Sequence, residues 1–157
     1  MVRIAGGEED IYGTLTGQFR AAPAPGPALL SRLIQSICPR VQSLTAGGKA
    51  GALNRAVEAS AWTETALLLV ELELPFWRLR RLVNESGEWL CSLSINPSLP
   101  IEYDDTADGH HEHLPMAILL SLIDAKAKSA RRTVVEHVSV PQIKPRPIYS
   151  FCCDNFG

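Results

Sequence analysis

Apolar residues recur at helical spacing directly after a proline-rich stretch. The residues that share one helical face over 28–38 are Leu30, Leu33, Ile34 and Ile37. Pro27 suits the first position of such a helix, and Pro39 ends it because proline has no N–H to donate inside a helix. This spacing predicts a helix between the two prolines.

A second helix is predicted from about Ala52 to Glu71. Its apolar positions are Leu53, Val57, Leu67 and Leu68. The end of this segment is ambiguous, because residues 70–75 (VELELP) alternate strictly and so also suit a strand. Pro75 closes either element. The preceding 45–51 (TAGGKAG) is interpreted as a flexible joint.

The third helical pattern follows residue 114 (LPMAILLSLIDAKAKSA). Its broad apolar arc is formed by Met116, Leu119, Leu120, Leu122 and Ile123. Ser121, Asp124 and Lys128 fall on the opposite side, and Pro115 lies near the first position. The pattern predicts an amphipathic helix with lysines in its last turn, where the helix dipole favours cations.

Two strand-like runs flank a turn signal within 76–96 (FWRLRRLVNESGEWLCSLSIN). A turn that starts at Asn84 and ends at Gly87 gives a three-residue loop, 85–87, and predicts a hairpin that pairs Asn84 with Glu88, Val83 with Trp89 and Leu79 with Leu93. The same register pairs Arg81 with Cys91 and Trp77 with Ile95. One covered face then holds the following residues, with Arg81 its only charge: Trp77, Leu79, Val83, Trp89, Cys91, Leu93 and Ile95. The opposite face would carry Arg78, Arg80, Ser92 and Ser94.

The order of these elements, α-α-β-β-α, predicts a small single α+β domain. A lone hairpin is marginal in water, so the helices on either side are expected to cover its apolar face. The domain is predicted over 28–140, with a possible last strand at 133–140. Residues 1–27 are interpreted as a flexible arm and residues 141–157 as a proline-rich tail.

The segment 65–125 resembles a set of short proteins from alphaproteobacterial genomes. The resemblance rests on W-x-L-R-R-L in the first strand, G-E-W-x-C-S-L-S in the second, and L-P-x-A-I-L at the start of the third helix. The resemblance implies limits for the folded core. It implies no activity, cofactor or site.

Composition narrows the classes of function. The chain of 157 residues is 46% hydrophobic and 20% charged, with a formal net charge of −2. No overall field therefore draws it to nucleic acid or anionic lipid. No run approaches the roughly 18 apolar residues of a membrane span, and no secretory signal follows Arg3, so we expect a cytoplasmic protein without a membrane partner. The four cysteines, at 38, 91, 152 and 153, follow no disulfide or zinc spacing and are expected to be reduced.

The polar run 104–115 (DDTADGHHEHLP) is the candidate metal site. In an extended chain His111 and His113 share one side, whereas in a helix His110 and His113 do. Candidate further ligands to a divalent metal are Asp104, Asp105, Glu112 and the distant His137, with Asp105 preferred. In the alternative interpretation the run is an exposed lead-in, whose Asp108 and Glu112 favour the positive end of the next helix. Apart from this metal, no cofactor is predicted.

Arg78 and Arg80 form a candidate interaction site beside Trp77 and Arg81. Arginines near an aromatic ring can bind phosphate and stacked bases. The same residues at a sheet edge discourage pairing with other strands. The slightly acidic whole argues against a nucleic-acid binder, which usually shows a broader basic surface.

No catalytic constellation is visible along the chain. Residues 47–51 (GGKAG) do not match the phosphate-loop pattern, and no GxSxG is present. Cys91 alternates onto the apolar face of the hairpin, which suits a buried thiol and not a nucleophile. We therefore expect a non-catalytic interaction or accessory module that binds a protein partner or self-associates. The alternatives are a metal-binding protein or metalloenzyme using the histidine run, and a weak nucleic-acid binder using Arg78 and Arg80.

Overall fold

The computed structural model describes residues 8–45 and 47–136. Six helices and a three-stranded sheet make up this part of the chain, which confirms the α+β class. The helices are α1 Glu8–Ala21, α2 Pro27–Ile37, α3 Pro39–Gln42, α4 Gly48–Glu58, α5 Trp62–Glu73 and α6 Leu114–Glu136; the strands are β1 Arg78–Glu85, β2 Glu88–Ser94 and β3 Ala107–His111. A short 3₁₀ turn lies between β2 and β3 at Ile101–Tyr103.

The interpretation of 1–27 as a flexible arm is wrong for residues 8–21, which form α1. Leu15 and Phe19 are one helical turn apart, and both are buried in the core. This pair anchors α1 against α6. The first seven residues lie outside the described part of the chain.

The predicted helix at 28–38 is confirmed as α2, with Pro27 at its first position. The predicted helix over 52–71 is two helices, because the chain turns between α4 and α5, where Ser60 takes a left-handed φ of 54°. The ambiguous segment 70–75 is helical through Glu73. The joint predicted over 45–51 is shorter, since α4 already begins at Gly48.

The hairpin is present, but its turn and register differ from the prediction near the loop. The loop is the two residues Ser86 and Gly87, with φ of 55° and 88°, values typical of a type I′ turn. Leu82 therefore pairs with Cys91, and Arg81 moves to the opposite face. The shift replaces a charged side chain by an apolar one on the covered face, which explains why it is preferred.

A β-bulge at Arg80 then restores the predicted pairing of Leu79 with Leu93. Trp77 is buried and Trp89 is half-buried, and both contact the same core cluster, as predicted. Val83 does not belong to that cluster. Its pairing with Leu90 places it on the other face of the sheet.

The third strand was not predicted. β3 pairs antiparallel with β2, which gives a meander in the order β1-β2-β3. The interpretation of this segment as an exposed lead-in is wrong for 107–111, because these residues are paired and Ala107 and Gly109 are buried. A Cβ atom at Gly109 would lie 2.1 Å from the carbonyl oxygen of Ala117, so α6 reaches the strand only because this residue has no side chain.

The sheet, α1 and α5 pack around α6, whose residues 116–123 are all buried, and α4 packs against α5. One side of α6 contacts β2 and β3, and other sides contact α1 and α5. Such a helix is surrounded and not amphipathic in its first half. Ser121, predicted on the side opposite the apolar arc, is buried, and its hydroxyl lies 2.7 Å from the carbonyl oxygen of Ile118 and 3.2 Å from the sulfur of Cys91.

The end of α6 corrects the prediction of a strand at 133–140, because residues 133–136 are helical. Residues 137–140 and the predicted tail 141–157 lie outside the described part. Within that part, no helix combines the length and the hydropathy that crossing a membrane requires.

Candidate functional site

His111 ends β3 with both ring nitrogens engaged. Its Nδ1 accepts the backbone N–H of His113 at 2.9 Å, which leaves the proton on Nε2. Nε2 lies 3.2 Å from the carbonyl oxygen of Ala22 and donates to it. His111 therefore joins the β3–α6 connection to the α1–α2 linker.

The other predicted metal ligands point to different surroundings. His110 is exposed on the opposite face of the sheet, where it pairs with Leu90. The His113 ring is exposed and stacks on the ring of His111 with centroids 5.7 Å apart. Asp105 binds Lys128 and Arg132 at 3.1 and 3.0 Å.

Among the predicted ligands that the structure describes, His111 and His113 are thus in ring contact. In residues 8–45 and 47–136, no group of three or more His, Cys, Asp or Glu side chains is placed to hold a metal ion. Asp104 faces the sheet and Asp108 is part of β3. His137 lies outside the described residues.

Arg80 and Asp104 form an ion pair that clamps the β2–β3 loop to the sheet. The guanidinium lies 2.5 Å from the carboxylate, and the two side chains are only 16% and 4% exposed. Arg80 also donates to the carbonyls of Pro97 and Leu99. Ser94 donates to the same carboxylate at 2.8 Å. The guanidinium of Arg80 is thus engaged in contacts within the fold, whereas Arg78 is exposed to solvent.

Large apolar side chains are exposed around this clamp. We call them the apolar rim: Phe76, Leu79, Leu99, Ile101 and Tyr103. Phe76 and Tyr103 are 74% and 79% exposed. The hydrogen bonds of Arg80 join the two segments, 76–79 and 99–103, because Arg80 follows the first and binds the backbone of the second. Five of the eight large apolar residues exposed in the described part belong to this rim.

The two described thiols, Cys38 and Cys91, are fully buried. Burial raises the pKa of the Cys38 thiol to about 12, and nearby Glu73 adds to the effect. Burial also raises the pKa of Cys91, against a smaller opposing effect of the hydrogen bond from Ser121. Neither thiol is a nucleophile at neutral pH, because the thiolate is the reactive form.

A buried ion pair lies in the helical layer. Glu73 has no exposed side-chain surface and lies 2.8 Å from Lys126 of α6. Its second oxygen accepts the backbone N–H of Val41 at 3.2 Å, which satisfies a free donor in the first turn of α3. This arrangement fastens α3 and α6 to α5.

Two open clefts flank the β3–α6 connection. One, of about 540 Å³, is lined by Arg20, Ala21, Ala22, Pro23, Glu88, His110, His111 and Glu112. The other, of about 570 Å³, is lined by Pro25, Ser60, Ala61, Trp62, Thr63, Glu64, His113 and Pro115. In neither cleft do the hydrogen bonds of the described residues pair a nucleophile with a base, the arrangement that nucleophilic catalysis uses.

No family model, curated protein or solved structure matches this chain. The resemblance of residues 65–125 to alphaproteobacterial proteins stays a prediction.

Proposed function

We propose that this chain is a non-catalytic protein-interaction module that binds a protein partner through the apolar rim. The observation that carries the proposal is the concentration of exposed large apolar side chains in two segments tied together by Arg80. Exposed apolar surface of this kind marks interaction sites, because it gains free energy when a partner excludes water from it.

The chemistry of the rim suits a protein partner. Tyr103 and Phe76 are flat, large side chains with few rotatable bonds, so they bury much area at a small entropic cost. The clamp beneath them is rigid because the carboxylate of Asp104 is held by both Arg80 and Ser94. A preformed surface loses less entropy on binding.

The alternative functions have weaker support. A metal ion bound to Nδ1 of His111 would displace the N–H of His113, and one bound to Nε2 would displace the carbonyl of Ala22. A nucleic-acid site would need Arg80, whose guanidinium is engaged by Asp104 and two carbonyls. The other two arginines of β1, Arg78 and Arg81, make a small basic surface for phosphate contacts.

The test compares two double variants in affinity purification from cells that express the tagged chain. Phe76→Ser with Tyr103→Ser removes the most exposed rim side chains. Ile11→Ser with Leu67→Ser removes two exposed apolar side chains elsewhere, at 42% and 43% exposure. We expect a stoichiometric protein partner with the wild type and the control pair, and its loss with the rim pair. A partner that the rim variant retains, or no partner at all, would contradict the proposal.

A further inference from the structure

The two edge strands of the sheet differ in whether side chains bind their outer backbone groups. At the β3 edge, a carboxylate oxygen of Asp124 accepts the backbone N–H of Asp108 at 3.1 Å. The ammonium of Lys128 binds the carbonyl of Thr106, just before the strand. Both side chains come from α6, so the helix that packs on the sheet also satisfies this edge. At the β1 edge, the described residues supply no backbone or side-chain partner.

The charges along β1 are separated by sign. Arg78 and Arg81 lie in its first half, and Glu85 lies at its end. All three are exposed. The pairing of Arg81 with Glu85 in the same chain is 3.4 Å long and solvent-exposed, so it holds neither side chain firmly. A uniformly basic edge would repel a second copy of itself. A strand with a basic start and an acidic end attracts a second copy in antiparallel orientation.

The bulge places the opposite charges on one face. The pairings Arg78–Ser94, Arg81–Ser92 and Glu85–Glu88 fall on alternate residues of β2, so all three β1 side chains share the face away from α6. Arg78 and Glu85 are seven residues apart, and without an extra residue they would lie on opposite faces. The bulge at Arg80 supplies that residue.

We infer that a second copy of this chain pairs with the β1 edge in antiparallel orientation, around a two-fold axis at Leu82. Because the bulged Arg80 does not count in the register, the axis at Leu82 places Arg78 opposite Glu85 of the second copy, and this pair occurs twice in the dimer. The pairing joins the two three-stranded sheets into one six-stranded sheet. Such an interface is self-complementary, as a two-fold axis requires. The strand addition supplies backbone hydrogen bonds, and the charged pairs set the orientation.

An apolar residue of β1 contributes to this contact. Leu79 of one copy lies near Asn84 of the other in this register, and Leu79 is 46% exposed in the single chain. The inference goes beyond the proposed interaction function by naming a further partner, a second copy of this chain. It rests on the open edge and its charges, whereas the proposed function rests on the apolar rim.

Sedimentation equilibrium tests the inference through charge reversal. Arg78→Glu and Glu85→Arg each place like charges opposite each other at both ends of the interface. We expect each variant alone to dimerise about tenfold more weakly, since two attractive pairs become repulsive. An equimolar mixture of the two variants should restore wild-type affinity, because a heterodimer regains both opposite-charge pairs.

The control is Arg55→Glu, which makes the same change of net charge as Arg78→Glu, but on α4 at an exposed position. It should leave the dimer unchanged, and thermal melting followed by circular dichroism should show that all three variants fold. A wild type that is monomeric throughout the concentration range overturns the inference and leaves the partner test of the rim untouched. A dimer that ignores both reversals, or a mixture that restores nothing, also overturns it.

Discussion

The close approach of α6 to β3 gives the sharpest prediction about stability. Gly109→Ala adds one methyl group that would lie 2.1 Å from the carbonyl oxygen of Ala117 and 2.5 Å from the backbone nitrogen of Ser121. Both neighbours are backbone atoms of α6. A contact of at least 3.0 Å therefore requires the helix and the strand to separate by about 1 Å.

The helix has no room to retreat, because its other sides pack against α1 and α5. Overpacking usually costs about 1–3 kcal/mol. A clash between the backbone of a strand and the backbone of a helix belongs at or above the upper end of that range, because no flexible side chain can move aside. We expect Gly109→Ala to lower the free energy of unfolding by about 3 kcal/mol. For a chain of this size the melting temperature should fall by about 6–12 °C.

Urea unfolding followed by tryptophan fluorescence measures this change, since Trp77 is buried and Trp89 is half-buried in the core. Gly17→Ala is the matched control. Gly17 lies in α1 with open space around its Cα, so the same methyl group should stabilise the helix by about 0.8–1 kcal/mol. A loss below about 1 kcal/mol for Gly109→Ala would refute the claim that glycine sets the helix-to-strand distance.

Three further predictions concern the polar and thiol groups. Glu73→Ala should lower the free energy of unfolding in urea by about 3–5 kcal/mol, because it leaves Lys126 partly buried without its partner. Adding Lys126→Met should recover part of that loss. Fully additive effects of the two substitutions would count against coupling between the two side chains. Native protein should leave Cys38 unmodified by iodoacetamide at pH 8, whereas urea-unfolded protein should be alkylated there, as peptide mass spectrometry can check. Asp105→Asn should destabilise by less than about 1 kcal/mol, since the pair with Lys128 is exposed to solvent. The hydrogen bond from Lys128 holds the pKa of Asp105 below its ordinary value. The contribution of Asp105 to the free energy of unfolding is therefore present above the unfolded-state pKa and is lost as the pH falls through the folded-state pKa. A difference in that free energy between variant and wild type that is the same at pH 7 and pH 2 would contradict this prediction.

The helices that periodicity predicted correctly are those in which the apolar residues at helical spacing are also the buried ones. In α2, three of the four residues on the predicted face are buried, and in α6 all five residues of the predicted arc are buried. Helix α1 was missed because its core contacts depend on few positions, chiefly Leu15 and Phe19, and it contains Gly13 and Gly17.

Strand β3 was missed for a different reason. Its sequence, ADGHH, has little strand propensity. It is a strand because β2 supplies its hydrogen bonds and α6 covers Ala107 and Gly109. A glycine inside a strand often marks such a close backbone approach, and Gly109 was the one local signal. The same pairing directs His110 and His111 to opposite faces, which sequence spacing alone left open.

The hairpin shows how one residue connects the fold to the proposed function. The two-residue loop at Ser86 and Gly87 moves Arg81 out of the core face, and the bulge at Arg80 then returns Leu79 to register with Leu93. A bulged residue leaves the regular alternation of the strand. In this chain it reaches the β2–β3 loop and binds Asp104.

The displacement of Arg80 has two effects that no regular strand would combine. It fixes the loop that carries Tyr103 and Ile101 of the apolar rim. It also brings Arg78 and Glu85 to one face of β1, and the proposed pairing of two copies depends on that placement. The apolar rim and the open edge therefore share Leu79, and one irregular residue positions both surfaces.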